Sequence, residues 1–150
     1  MQHTLIIIMN TAAVVLFTLI GVLFTDRGSE VIMLLKCFAL LRLVSGGLHL
    51  ESSMGCAIVT AGTATLLSII NANTTWTISL TAISMLIVLK YAPSGIENQS
   101  RIPERFYPLL PVISFIIVAS NLWFLSSMAA IAFFVQALTL VINEHFMKRG

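Results

Sequence analysis

His49 and Cys56 stand seven positions apart and are the residues of this chain best suited to covalent chemistry. A thiol with an imidazole nearby is the least equipment of a cysteine nucleophile: the imidazole takes the thiol proton and the thiolate attacks a carbonyl. The two close a segment, Gly46-Gly47-Leu48-His49-Leu50-Glu51-Ser52-Ser53-Met54-Gly55-Cys56, that gathers polar and turn-forming residues between long apolar runs. On one straight helix His49 and Cys56 would share a face but lie about 10.5 Å apart along the axis. A bend is therefore needed, and Gly46, Gly47 and Gly55 make bends cheap. The favoured arrangement puts Cys56 in the first turn of a helix, with Ser52 and Ser53 as caps. There free N–H groups and the helix dipole favour a thiolate and can hold an oxyanion during acyl transfer. The competing reading makes both residues ordinary packing groups of membrane helices. Glu51 either orients His49 as a third member or is simply solvated. His49, Cys56 and Glu51 fall short of the four ligands of structural zinc, and no metal or other cofactor is read. Cys37 lies within an apolar run, where a free thiol acts as a small hydrophobe.

The elements that must position this pair are set by composition. Of 150 residues, 58% are hydrophobic and 9% charged, against about 25% charged in a soluble domain. With a mean hydropathy of +1.00, the chain reads as an integral membrane protein forming a single domain over residues 1–150. The net charge of +2, with no basic cluster, gives no basis for nucleic-acid binding. Two cysteines build no disulfide framework. The apolar N-terminal run lacks the basic start and short core of a cleaved signal peptide and reads as a retained helix.

A crossing needs about 20 mainly apolar residues. Candidates run over Thr4 to Phe24, Val31 to Val44 (extendable to Glu30 and Ser45), Cys56 to Ile70, Trp76 to Tyr91, Leu109 to Leu125 and Met128 to Ile142. The second is short and contains Lys36. The expected fold is all-α, a polytopic membrane bundle of about six transmembrane or membrane-embedded helices. The runs are too long for barrel strands and lack their alternation. Basic residues concentrate in cytoplasmic loops. With six crossings and the N-terminus inside, Arg42, Lys90, Arg101, Arg105, Lys148 and Arg149 all fall at cytoplasmic ends, and only Arg27 falls outside. Both termini and the His49–Cys56 segment are then cytoplasmic.

With these residues in view, the chain resembles the accessory gene regulator B (AgrB) family, membrane cysteine endopeptidases that process quorum-sensing peptide precursors. The family's arginine, Gly-Gly-x-His and cysteine match Arg42, Gly46-Gly47-Leu48-His49 and Cys56. Lys90-Tyr91-Ala92-Pro93, followed by a polar stretch with Pro103, is similar to the family's Tyr-Ala-Pro segment and the basic loop after it. Gln136-Ala137-Leu138-Thr139-Leu140 matches in the last helix.

The resemblance implies a multi-pass protein of the bacterial cell membrane, acting in the lipid bilayer on a small AgrD-like precursor peptide and forming a homodimer. It implies that Cys56 is the nucleophile and His49 its acid–base partner; Arg42, Gly46 and Gly47 of the matching motif are candidates for a supporting role, as is Glu51 if it orients His49. The acyl-thioester on Cys56 is then resolved, in members that make cyclic signals, by a thiol or hydroxyl of the peptide into a thiolactone or lactone. That exchange conserves acyl activation and needs no ATP site. Lys90, Arg101 and Arg105 could attract an acidic precursor tail, although the same arginines serve as a topology signal. Family members usually carry an amphipathic N-terminal region, whereas this chain begins at the first span. Leu48 and Leu50 flank the histidine where an aromatic and a small residue are common. Asn121, Gln136 and Asn143 read as polar glue between helices. The alternative to an enzyme is a small membrane transporter or scaffold in which Cys56 is inert. A thiol–disulfide oxidoreductase would need a Cys-x-x-Cys, which is lacking.

Overall fold

The computed structural model describes residues 2–46, 53–94 and 102–150, with the side chains of 2, 3, 7, 53 and 56 outside that description. Among the described residues six α-helices follow in order: α1 (Gln2–Thr25), α2 (Gly28–Ser45), α3 (Ser53–Leu67), α4 (Thr74–Tyr91), α5 (Leu110–Phe124) and α6 (Ser127–Arg149). A short 3₁₀ helix, Glu104–Leu109, leads into α5. Among the described residues there is no β-strand, only an isolated bridge between Gly46 and Ser94. In hydrocarbon the backbone must satisfy its own hydrogen bonds, and long apolar runs do so as helices.

Among the described residues, four segments are long and apolar enough to cross a membrane: Thr4–Thr25, Thr74–Tyr91, Glu104–Phe124 and Ser127–Arg149. The protein is an all-α membrane protein, as the sequence indicates. The two expected spans not among the four are α2, which carries Glu30, Lys36 and Arg42, and α3, with 15 residues. At 1.5 Å per residue α3 is about 22 Å long, short of a hydrocarbon core of about 30 Å.

The chain forms two compact units. In the first, α1 packs along α3. Thr18, Val31, Leu34, Ala57, Ala61, Ala64 and Ser68 are buried there. The helices approach closely where Gly21 faces Thr65, since a Cβ at Gly21 would run into the threonine side chain. Small residues at such crossings let backbones come together without a hydrophobic driving force. Asp26, with φ of 52°, turns the chain from α1 into α2. Arg27 then donates to the Ser68 carbonyl at 3.3 Å and to Asn71 Oδ1 at 3.4 Å. The one basic residue on the wrong side of the expected charge distribution thus closes the end of α3, where a cation complements the helix dipole.

In the second unit α4 packs against both α5 and α6. Its core is Leu41, Val88, Ala92, Val118, Ala129, Phe133, Ala137 and Leu140. Asn121 organises one end. Its Nδ2 donates to Thr81 Oγ1 at 3.0 Å and to the Ser126 carbonyl at 3.1 Å, and its Oδ1 accepts from Ser126 N at 3.1 Å. These bonds fix the tight α5–α6 turn, in which Leu125 has a φ of 49°. Ser126 then caps α6, accepting from Ala129 N. At the opposite end the segments that follow α2 and α4 meet each other and α6, because Ser94 N donates to the Ser45 carbonyl at 3.0 Å and Asn143 Nδ2, within α6, to Ser94 Oγ at 2.8 Å.

Candidate active site

The Gly-Gly segment leaves α2 through a fixed conformation. Ser45 and Gly46 are buried, and the N–H of Gly46 returns to the Arg42 carbonyl at 3.0 Å. Gly46 has a φ of 74°, a left-handed conformation that a side chain disfavours by about 1–2 kcal/mol. The helix therefore ends in a glycine C-cap. The hydroxyl of Ser45 donates to the Leu41 carbonyl at 2.8 Å, so its oxygen is available as an acceptor.

Gln136, at 0% exposure on α6, fills that need. Its Nε2 donates to the Gly46 carbonyl and, at 3.4 Å, to Ser45 Oγ. A carbonyl can only accept, so the amide must turn its nitrogen toward Gly46. Its Oε1 is buried and has no hydrogen-bond partner among the described residues. The side chain also lies in the matching segment 136–140 of the last helix. Two motifs 90 residues apart in the chain thus meet through one amide.

The Tyr91-Ala92-Pro93 segment closes the same end. The Ala92–Pro93 peptide is cis, and Ser94 just beyond it pairs with Gly46. Ser45, Ser94 and Asn143 were not singled out as site residues from the sequence. Ser94 follows a motif that was, so its place was the most accessible signal.

Of the predicted supporting residues, Arg42 lies in the last turn of α2, its guanidinium 5.8 Å from the centre of the Phe38 ring. Lys90 stands 5.4 Å from the Tyr91 ring centre, and Arg105 stands 4.8 Å from that of Phe106. These basic residues and Gly46 occur at the end of the second unit where α2 and α4 finish and the 3₁₀ helix begins. His49, Gly47, Glu51 and Arg101 lie outside the described residues. Cys56 is the fourth residue of α3, which puts its backbone in the first turn, at the positive end of the helix dipole; its side chain lies outside the described residues. Ser53 opens that helix, and Ser52 is outside the description. Cys37 on α2 is partly buried against the core of the second unit. Among the described residues no three His, Cys, Asp or Glu side chains converge to hold a metal ion.

Neither a curated protein nor a solved structure matches the chain. A family model does, over residues 1–142, and its description is Accessory gene regulator B. That match takes in Arg42, the Gly-Gly-x-His-x6-Cys element, the Tyr-Ala-Pro segment and Gln136 alike, and by it the chain belongs to the accessory gene regulator B family.

Proposed function

We propose that this protein is a membrane-embedded cysteine endopeptidase that cleaves a quorum-sensing precursor peptide through an acyl-thioester on Cys56. Family membership gives it a role in the accessory gene regulator quorum-sensing system. The observation that carries the peptidase reading is the position of Cys56 in the first turn of α3, seven residues after His49 in the family's motif.

The chemistry follows from that position. His49 takes the Cys56 proton, and the thiolate, favoured by the helix N-terminus, attacks a backbone carbonyl of the precursor. The positive end of the α3 dipole stabilises the oxyanion. The intermediate collapses, the C–N bond breaks, and His49 returns the proton to the departing amine of the C-terminal tail. The acyl group stays on sulfur. Water then releases a linear peptide, or a thiol or hydroxyl within the peptide displaces Cys56 and closes a ring. The site works at the cytoplasmic face, where an AgrD-like precursor is delivered, and Lys90, Arg101 and Arg105 draw its acidic tail.

Co-expression of a precursor with wild type, Cys56→Ala and His49→Ala is the test. Tail release is expected from wild type alone, and equal release from all three would refute the dyad. The pH–rate profile should show two coupled ionisations that belong to the pair. Cys56 should also be alkylated faster than Cys37; an unreactive Cys56 whose alanine variant keeps function would favour a transporter or scaffold instead.

A further inference from the structure

We propose that this protein is built for a thin bilayer. Its partner is an annulus of lipid whose hydrocarbon core is well under the usual thickness, obtained by selecting short-chain lipid or by compressing longer chains. This property is independent of the peptidase reading.

The second unit carries the argument. On α4 the exposed apolar residues run from Trp76 to Leu89, about 20 Å along the axis. On α5 they run from Leu109 to Phe124, about 22 Å. On α6 the apolar run from Met128 to Ile142 covers about 21 Å. None of these runs contains a charge, and Lys90, Arg105 and Glu144 stand beyond one margin. Hydrogen bonds keep the margins level. Asn121 joins α5 to Thr81 of α4 and to Ser126 at the head of α6, and Asn143 of α6 meets Ser94 just past α4. Residues that favour the interface stand at both margins, Trp76 and Trp123 at one, Tyr91 and Tyr107 at the other. Against an ordinary core of about 30 Å the shortfall is about 8 Å. Helix tilt only shortens the projection, so the bilayer must give. Lys90 and Arg105 can reach outward at their own margin, whereas the margin of Trp76, Trp123 and Ser126 has no charged side chain to do so.

The first unit, taken by itself, agrees. There α3 spans about 22 Å, and polar Glu51 and Ser52 precede it in the sequence. The exception is α1, whose exposed apolar residues run from Leu5 to Phe24, about 28 Å. Gly21 faces Thr65, and Arg27 just past α1 bonds the Ser68 carbonyl just past α3. The start of α3 is therefore level with about Met9, and the excess of α1 lies beyond it at the amino-terminal end. Lys36 adds a third observation. It is exposed near the middle of α2, where a thinner core brings head groups closer to its amine and lowers the cost of an ionisable group at that depth.

The reporters are Trp76 and Trp123, the only tryptophans of the chain, which are 63% and 89% exposed. The wild-type protein is reconstituted in mixtures of a dibrominated phosphatidylcholine, which quenches tryptophan on contact, and unlabelled phosphatidylcholines. The monounsaturated chains of the unlabelled lipids run from about 14 to about 22 carbons. Relief of quenching gives the relative binding constant of each chain length. That constant is expected to be largest at about 14 to 16 carbons and to fall about fivefold by about 22. The unfolding temperature in bilayers of each lipid alone should follow the same order. Trp123→Phe leaves the reporter on α4 and Trp76→Phe the one on α5, and both variants should give the same optimum. A flat series, or a maximum at about 18 carbons or longer, overturns the inference, as does an unfolding temperature highest in the longest chains. A short-chain optimum seen by one tryptophan alone overturns it too, because the thin band would then belong to a single helix. None of these readouts requires a precursor or its cleavage, so failure here leaves the peptidase reading untouched.

Discussion

Gly46 shows how much a single position can carry. Its φ of 74°, its bond back to Arg42 and the bond of Gln136 to its carbonyl all depend on a residue without a Cβ. Gly46→Ala is expected to lower stability by about 1–2 kcal/mol, the cost of the left-handed conformation for an L-residue, and thermal unfolding in detergent measures it. Ser114 makes the opposite case. It is fully buried on α5, yet its hydroxyl has no partner among the described residues. Ser114→Ala should therefore be neutral or stabilising by up to about 1 kcal/mol, since it relieves an unmet desolvation cost. A loss above that figure would show that the hydroxyl is engaged. The sequence alone distinguishes neither residue from its neighbours: Gly46 is one of a glycine pair, and Ser114 is one of many hydroxyls in apolar helices. What separates them is backbone dihedral in one case and hydrogen-bond geometry in the other.

At the scale of elements, apolar run length made α1, α4 and α5 legible nearly to the residue. The misses have physical causes. The sequence reading ends the last helix at Ile142, where polarity rises, but α6 continues to Arg149. Its final turns are polar yet helical, with Lys148 and Glu144 paired at 3.1 Å one turn apart. The third helix starts and stops three residues earlier than its apolar run, from Ser53 to Leu67, because a helix start is set by capping residues before the run as much as by the run itself. The Glu104–Leu109 turn was hidden in a polar, proline-bearing stretch. Helix pairing was not legible, because lipid-facing and helix-facing sides are both apolar and only small residues mark the seam. Gly21 and Thr65 are that seam in the first unit. Gly21→Ala should destabilise the α1–α3 pair by about 1–3 kcal/mol through overpacking, and adding Thr65→Ala should return part of the loss. A double-mutant cycle that is additive would exclude the contact. Asn121→Leu should likewise cost about 1–3 kcal/mol, since it strands Ser126 N at the α5–α6 turn.

For the molecule as a whole, the distribution of charge carries the argument. In the second unit α2, α4 and α6 end, and the lead into α5 begins, at the side that holds Arg42, Lys90, Arg105, Lys148 and Arg149. The other side of that unit is the α5–α6 turn at Leu125 and Ser126, bound to Thr81 on α4, and it carries no charge. Because basic residues concentrate in cytoplasmic loops, the orientation proposed here has this side in the cytoplasm. Arg27 in the first unit does not weaken this reading, because it has a structural task at the end of α3. The expected orientation places Ser126 outside and the carboxyl terminus at Gly150 inside. Single cysteines at Ser126 and Gly150, introduced after Cys37→Ser and Cys56→Ser, test it with a membrane-impermeant maleimide. The first should label in intact cells and the second only after lysis. The reverse pattern would put the carboxyl ends of α2, α4 and α6 outside, together with Gly46 and the motif that begins there. A precursor would then have to cross the membrane before cleavage, and the cytoplasmic peptidase proposed above would have no substrate at its site.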